Sequence, residues 1–180
     1  FISGKGPVFA DSICKNEELR LNSDGALKKL EYVFEATSLI KASIDVPLIG
    51  FTGSPWTLFV YLYYGESPKN HDELNNYLKL KSHNTHSYLE QLTETTKDYV
   101  HAQIEAGADC IQIFDSWGGL LDEKYQELSL NYINQIAASV QVDIPIILYT
   151  RDKLIDNIID LTPIKCFNLD TSDNIDTHIS

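Results

Sequence analysis

Methionine is absent from the whole chain, and arginine stands only at positions 20 and 151. A chain that opens on Phe1 and holds no Met reads as a piece of a longer protein. No apolar run nears the roughly 20 residues needed to cross a bilayer, so no membrane partner is expected. The opening Phe1-Ile2-Ser3-Gly4-Lys5-Gly6 lacks a basic stretch followed by an apolar one, so no signal peptide is read and the expected compartment is the cytoplasm. With so little Arg and a net charge of −12, the surface repels phosphate backbones, which excludes nucleic acid as a partner. The three cysteines, Cys14, Cys110 and Cys166, are odd in number and form no CxxC pair. Cys110 and Cys166 fall in or beside apolar runs, where a thiol behaves as a small hydrophobe, and all three are expected to be reduced structural residues.

Catalytic signatures are missing as well. No GxGxxG or GxxxxGK[ST] occurs, which leaves no dinucleotide or phosphate loop. Ser54 and Ser116 lack the flanking glycines of a nucleophile elbow. The histidines form no HExxH; His83 and His86 fall at a helix start, where they read as a solvated face, so no metal site is expected. What is present is the balance of a folded domain, with 43% hydrophobic and 22% charged residues, enough apolar material for a core.

Four short apolar runs organise that material: Val46 to Phe51, Cys110 to Asp115, Ile144 to Tyr149 and Lys165 to Asp170. Each has the length and composition of a buried parallel strand. A weaker candidate surrounds Pro7-Val8-Phe9. Between the runs the spacing turns helical. Leu27, Leu30, Phe34, Thr37 and Lys41 share one face, as do Leu121, Tyr125, Leu128, Tyr132 and Ile136. A long helix is predicted from about Thr85 to Ala106, closed by Gly107 in a left-handed conformation. Ser67-Pro68 reads as an N-cap and first helical residue ahead of a helix over Asp72 to Leu80. The whole predicts one α/β domain with a parallel sheet. By count alone the sheet suits either a doubly wound fold or part of a (β/α)8 barrel, which typically takes about 250 residues.

In both architectures ligands gather beyond the carboxyl ends of the strands. Those ends carry Phe51 to Trp56, Phe114 to Gly119, Tyr149 to Asp152 and Asp170 to Asp173, a mixture of aromatic, polar and glycine residues that suits a pocket.

At these loops a family is recognisable. Pro47-Leu48-Ile49-Gly50-Phe51-Thr52-Gly53-Ser54-Pro55-Trp56-Thr57-Leu58, with Tyr61 and Gly65 beyond, resembles a motif of the uroporphyrinogen decarboxylase family. Ala106-Gly107-Ala108-Asp109, then Gln112-Ile113-Phe114-Asp115-Ser116-Trp117-Gly118-Gly119-Leu120, looks like that family's second loop motif. Gly6-Pro7-Val8-Phe9 is similar to the stretch before its third helix–strand unit. The resemblance covers nearly all the chain and weakens after Tyr149.

The resemblance implies a single partial (β/α)8-barrel domain over residues 1–180, with N- and C-terminal portions of the barrel outside it, and a homodimer when intact. It implies a carbon–carbon lyase, free of cofactor and metal, that decarboxylates the four acetate side chains of uroporphyrinogen to give coproporphyrinogen in tetrapyrrole synthesis. By position, Tyr61 matches a tyrosine that contacts the tetrapyrrole near a reacting acetate, and Ser116 a serine that hydrogen-bonds a substrate carboxylate. Phe51 and Phe114 match apolar pocket walls. Gly53, Gly118 and Gly119 are expected to turn the backbone at the cleft, Pro55 and Trp56 to start a helix and brace the loop, and Asp115 to orient the loop without being catalytic. The family's aspartate, arginine-rich loop and histidine are expected to lie outside this span, so the chain alone is expected to be inactive and poorly stable. The departures are Tyr149-Thr150-Arg151-Asp152, where Lys and then Gly are usual, and Asp170-Thr171, where Trp commonly follows the Asp. Two alternatives are a zinc-dependent methyltransferase of the same barrel superfamily and a non-catalytic porphyrin-binding barrel.

Overall fold

The computed structural model describes residues 11–16, 19–66, 72–141, 143–151, 162–164 and 166–168. Four parallel strands, β1 (Ile49–Gly53), β2 (Cys110–Asp115), β3 (Ile146–Thr150) and β4 (Cys166–Asn168), lie in the order β1-β2-β3-β4. Sequential parallel neighbours of this kind require a crossover between strands, and among the described residues helices supply those from β1 to β2 and from β2 to β3. They are α1 (Ala26–Lys29), α2 (Glu31–Ser43), α3 (Pro55–Tyr64), α4 (Asp72–Leu80), α5 (Ser82–Glu105) and α6 (Asn131–Ser139). The candidate strand at Pro7-Val8-Phe9, the Ser67-Pro68 cap and the Asp170 loop lie outside the described residues.

The second apolar run forms a strand over the expected residues, whereas the first and third start late. Proline explains both shifts, because Pro47 and Pro145 have no N–H to give a ladder. The Leu48 N–H is also diverted, donating to Asp109 Oδ2 at 2.6 Å. That carboxylate receives Lys41 Nζ at 2.7 and 2.9 Å as well, which ties α2 to the start of β2.

Helix ends follow local chemistry. Ser54 caps α3 by accepting the Thr57 N–H at 3.0 Å, with Pro55 at the first position, and Gly65 ends the helix at φ +72°. Gly107 closes α5 at φ +110°, where a side chain would be strained and would press on Lys41. The Leu27 to Lys41 stripe is indeed the half-buried side of α1 and α2, with Leu39 and Ile40 exposed on the other. Leu121, Tyr125, Leu128, Tyr132 and Ile136 are all buried, although one helix does not carry them. A 3₁₀ segment (Gly118–Lys124) breaks at Asp122, φ +42°, and a π turn (Gln126–Leu130) leads into α6.

Alternation along the strands divides the sheet into two faces. Gly50, Ile111, Ile113, Leu148 and their neighbours are buried beneath α3 and α5, which pack on β1 and β2. Trp56, Phe59 and Val60 of α3 are fully buried there. Gly50 has no room for a side chain: a Cβ would lie 2.7 Å from Ile111 Cδ1. Phe51, on the opposite face, is 62% exposed.

Two expectations are corrected. All three cysteines are free thiols, but Cys14 and Cys166 are exposed rather than packed, Cys166 because it falls on the open face of β4. His83 is exposed as expected, whereas His86 is half-buried. Its Nδ1 meets the Tyr132 hydroxyl at 2.7 Å and its Nε2 meets Glu127 at 3.0 Å, joining α5 to α6.

Candidate active site

At the carboxyl ends of β1 and β2 the two motif loops interlock. The Ser54 N–H donates to the Phe114 carbonyl at 2.9 Å, extending the β1–β2 ladder into the loop. Pro55 and Trp56 do start α3, and the Trp56 indole Nε1 donates to the Trp117 carbonyl at 2.8 Å. That bond braces the second loop against the first helix. The Trp117 ring in turn meets Tyr61 edge-on, with centroids 6.3 Å apart. Tyr61, two turns into α3, is thereby brought beside the loop that holds Ser116. Both residues are half-buried, and neither hydroxyl makes a hydrogen bond with a described residue. Two polar groups beside an aromatic surface, each with hydrogen-bonding capacity to spare, suit an oriented polar ligand.

Phe51 and Phe114 stand together on the open face, rings edge to face at 6.3 Å. Tyr149, from β3, continues the row with its ring 5.7 Å from Phe114. The parallel register makes Phe114 and Tyr149 direct neighbours, a signal that the sequence carried but that only strand pairing reveals. Arg151 follows β3; it is exposed, forms no ion pair with a described residue, and its N–H donates to the Asp115 carbonyl at 3.4 Å. Both residues belong to the strand-end segment Tyr149 to Asp152 expected to border a pocket, although neither was assigned a role of its own.

Beneath the loops lies a buried carboxylate. Asp115 is fully buried on the helix-covered face. Its Oδ1 accepts Ser54 Oγ at 2.6 Å and Thr57 Oγ1 at 3.4 Å, and its Oδ2 accepts Ser129 Oγ at 2.9 Å. Burial pushes the acid's pKa up, and the hydroxyls of Ser54, Ser129, Tyr125 and Thr57 draw it back down. Tyr125 titrates above its ordinary value because it is itself buried beside this acid. Gly118 backs onto the pair: an added Cβ would lie 2.4 Å from Asp115 Oδ2 and 2.7 Å from the Tyr125 ring. Gly53, Gly118 and Gly119, expected to turn the backbone at the cleft, do so without positive φ, Gly118 opening the 3₁₀ segment. Gly118 is needed for close approach, not for a left-handed turn.

A family model described as "Uroporphyrinogen decarboxylase (URO-D)" matches residues 1–179. Among curated relatives, the uroporphyrinogen decarboxylase of Francisella tularensis subsp. novicida is 40% identical over 156 residues, and that of Francisella philomiragia is 42% identical over the same length. In each case the match covers 84% of this chain and 45% of the relative, so the chain spans less than half their length. A solved structure of a methyltransferase from Methanosarcina mazei superposes with a TM-score of 0.64 at 22% identity, over 85% of this chain and 43% of the other. That likeness concerns the fold alone, an α/β arrangement with a parallel sheet of the (β/α)8-barrel type. On the family match and the identity to these relatives, the chain belongs to the uroporphyrinogen decarboxylase family.

Proposed function

We propose that the full-length protein removes carbon dioxide from the four acetate side chains of uroporphyrinogen, giving coproporphyrinogen without a cofactor. The observation that carries this reading is the pairing of both family motifs at the ends of adjacent strands, with the Tyr61 ring against Trp117, the residue that follows Ser116. Phe51 and Phe114 would form a wall for the tetrapyrrole. The Ser116 hydroxyl would donate to a substrate carboxylate, and the Tyr61 hydroxyl would stand near the acetate that reacts.

The chemistry asks little of the protein beyond placement. Once a pyrrole ring is protonated, the electron pair of the breaking carbon–carbon bond flows into that ring as carbon dioxide leaves. The remaining methylene then takes up a proton to become a methyl group, and the ring gives back the proton that it first accepted. Residues of this chain contribute by orienting the macrocycle and keeping water from it, which raises the population of reactive geometries and strengthens each polar contact. An aromatic wall with two hydroxyls is consistent with that task.

The test is an anaerobic assay of the full-length protein with uroporphyrinogen and no added cofactor, products being oxidised and separated by carboxyl number. Stepwise loss of four carboxyls is expected. Tyr61→Phe and Ser116→Ala should each lower kcat/KM by about tenfold, the usual scale for losing one hydrogen bond to a charged group. A folded protein that binds porphyrin and releases no carbon dioxide would overturn the reading.

A further inference from the structure

The Asp115 cluster joins every segment that shapes the two motif loops. Ser54 caps α3, the helix that carries Tyr61, and donates to Oδ1. Thr57, in the first turn of the same helix, approaches the same oxygen at 3.4 Å. Ser129, on the π turn before α6, donates to Oδ2 at 2.9 Å. Ser116 follows Asp115 directly in the chain, and Gly118 closes over the carboxylate so tightly that no side chain fits. One buried acid therefore sets the distance between the end of β2, the start of α3 and the segment entering α6.

A buried carboxylate surrounded by hydroxyls is a costly way to hold a fold. An apolar residue of similar size would give the same packing without desolvating a charge. What it adds over an apolar residue is direction, since three side-chain donors at fixed distances define where each segment sits. Hydroxyls with no second role in catalysis point to the same conclusion: Ser129 is fully buried and has Asp115 as a partner.

We propose that Asp115 is a positioning residue that fixes Ser116 relative to Tyr61, and that it acts on the reaction through them. This rests on the substrate roles proposed for Ser116 and Tyr61. On the full-length protein, Asp115→Asn keeps the shape while disturbing the donors, and Ser129→Ala removes one donor as a milder companion should the first fail to fold. Displacing a bound group by a fraction of an ångström costs on the order of tenfold to a hundredfold in rate, so Asp115→Asn should lower kcat/KM to that extent while the protein stays folded. The decisive readout is coupling. In a Ser116→Ala background the same change should cost no more than about twofold, because the contact it positions is already gone. Losses that multiply in the double variant, or that merely track the melting temperature, would overturn the proposal. So would loss of the alkaline limb of the kcat pH profile, which would make Asp115 a proton donor.

A crystal structure of full-length Asp115→Asn gives a reading independent of turnover. Displacement of Ser116 relative to Tyr61 supports positioning, and an unmoved pair refutes it. If the wild type proves inactive on uroporphyrinogen, the proposed function fails and this crystallographic comparison alone decides the role of Asp115.

Discussion

The two faces of the sheet are made from alternate residues of the same strands and yet have opposite properties. Ile113 is fully buried under the helices, while Phe114, the next residue, lies half-open beside Phe51 and Tyr149. On the covered face, aliphatic side chains interlock with Trp56, Phe59 and Val60, and the carboxyl of Asp115 is enclosed by hydroxyls. Aromatic rings on the open face pack against each other. Burial of apolar surface stabilises the fold, so the covered face holds this segment together, whereas the other face of a (β/α)8 barrel turns inward, with its residues at the strands' carboxyl ends beside the cleft. A strand thus serves stability and function with a period of two residues.

The contrast breaks hardest in the core. Phe59 is fully buried with the rings of Trp56, Tyr63, Tyr77 and Tyr88 all around it. Phe59→Ala should cost about 3–5 kcal/mol in chemical denaturation of the full-length protein, the usual range for a deleted core aromatic. Phe51→Ala, at the carboxyl end of β1 on the other face, should cost less than Phe59→Ala by the same measurement. Comparable losses for the two would erase the distinction between the faces.

Gly118→Ala comes next, since it forces a methyl group against the Asp115 carboxylate and the Tyr125 ring. Overpacking of that kind typically costs about 1–3 kcal/mol, and thermal melts of the variant would register it.

The smallest effect is electrostatic and lies at the opposite end of the strands. The Lys41 ammonium, with the Leu48 N–H, holds the Asp109 carboxyl below the usual carboxylate range. A depressed carboxyl contributes stability above its unfolded value, near 3.8, and loses it as pH falls through the lower folded value. The gap in stability between wild type and Asp109→Asn should therefore be present at neutral pH and close on acidification, with equilibrium unfolding followed across that range. A gap that widened in acid would contradict the assignment.

Much of this was legible in the sequence, for physical reasons. The apolar run from Cys110 to Asp115 has no proline and a polar residue at either end, and it forms a strand over those residues. Ser54-Pro55 and Gly65 announce the limits of α3 because a hydroxyl cap, a ring-locked φ and a left-handed glycine each satisfy a helix end. Less legible was whatever depends on partners distant in the chain. Nothing near Asp115 in sequence says that Ser54 and Ser129 will converge on it, nor that His86 will find Tyr132 and Glu127. The helical spacing from Leu121 to Ile136 identified the inward side chains correctly but could not show that the backbone breaks at Asp122. Periodicity records which residues face the core and is blind to how the chain delivers them.

The most direct measurement takes two adjacent residues, Ile113 and Phe114, and asks for stability and affinity together. Uroporphyrin, the oxidised analogue, would be titrated into full-length Ile113→Ala and Phe114→Ala while melting temperatures are recorded on the same samples. Ile113→Ala should lower Tm by several degrees, roughly what a deleted core side chain produces, with Kd unchanged for the folded fraction. Phe114→Ala should weaken binding by about tenfold, as loss of an aromatic contact commonly does, and lower Tm less than Ile113→Ala. The reverse pattern, or equal effects from both, would contradict the division of labour between the two faces and with it the placement of the substrate.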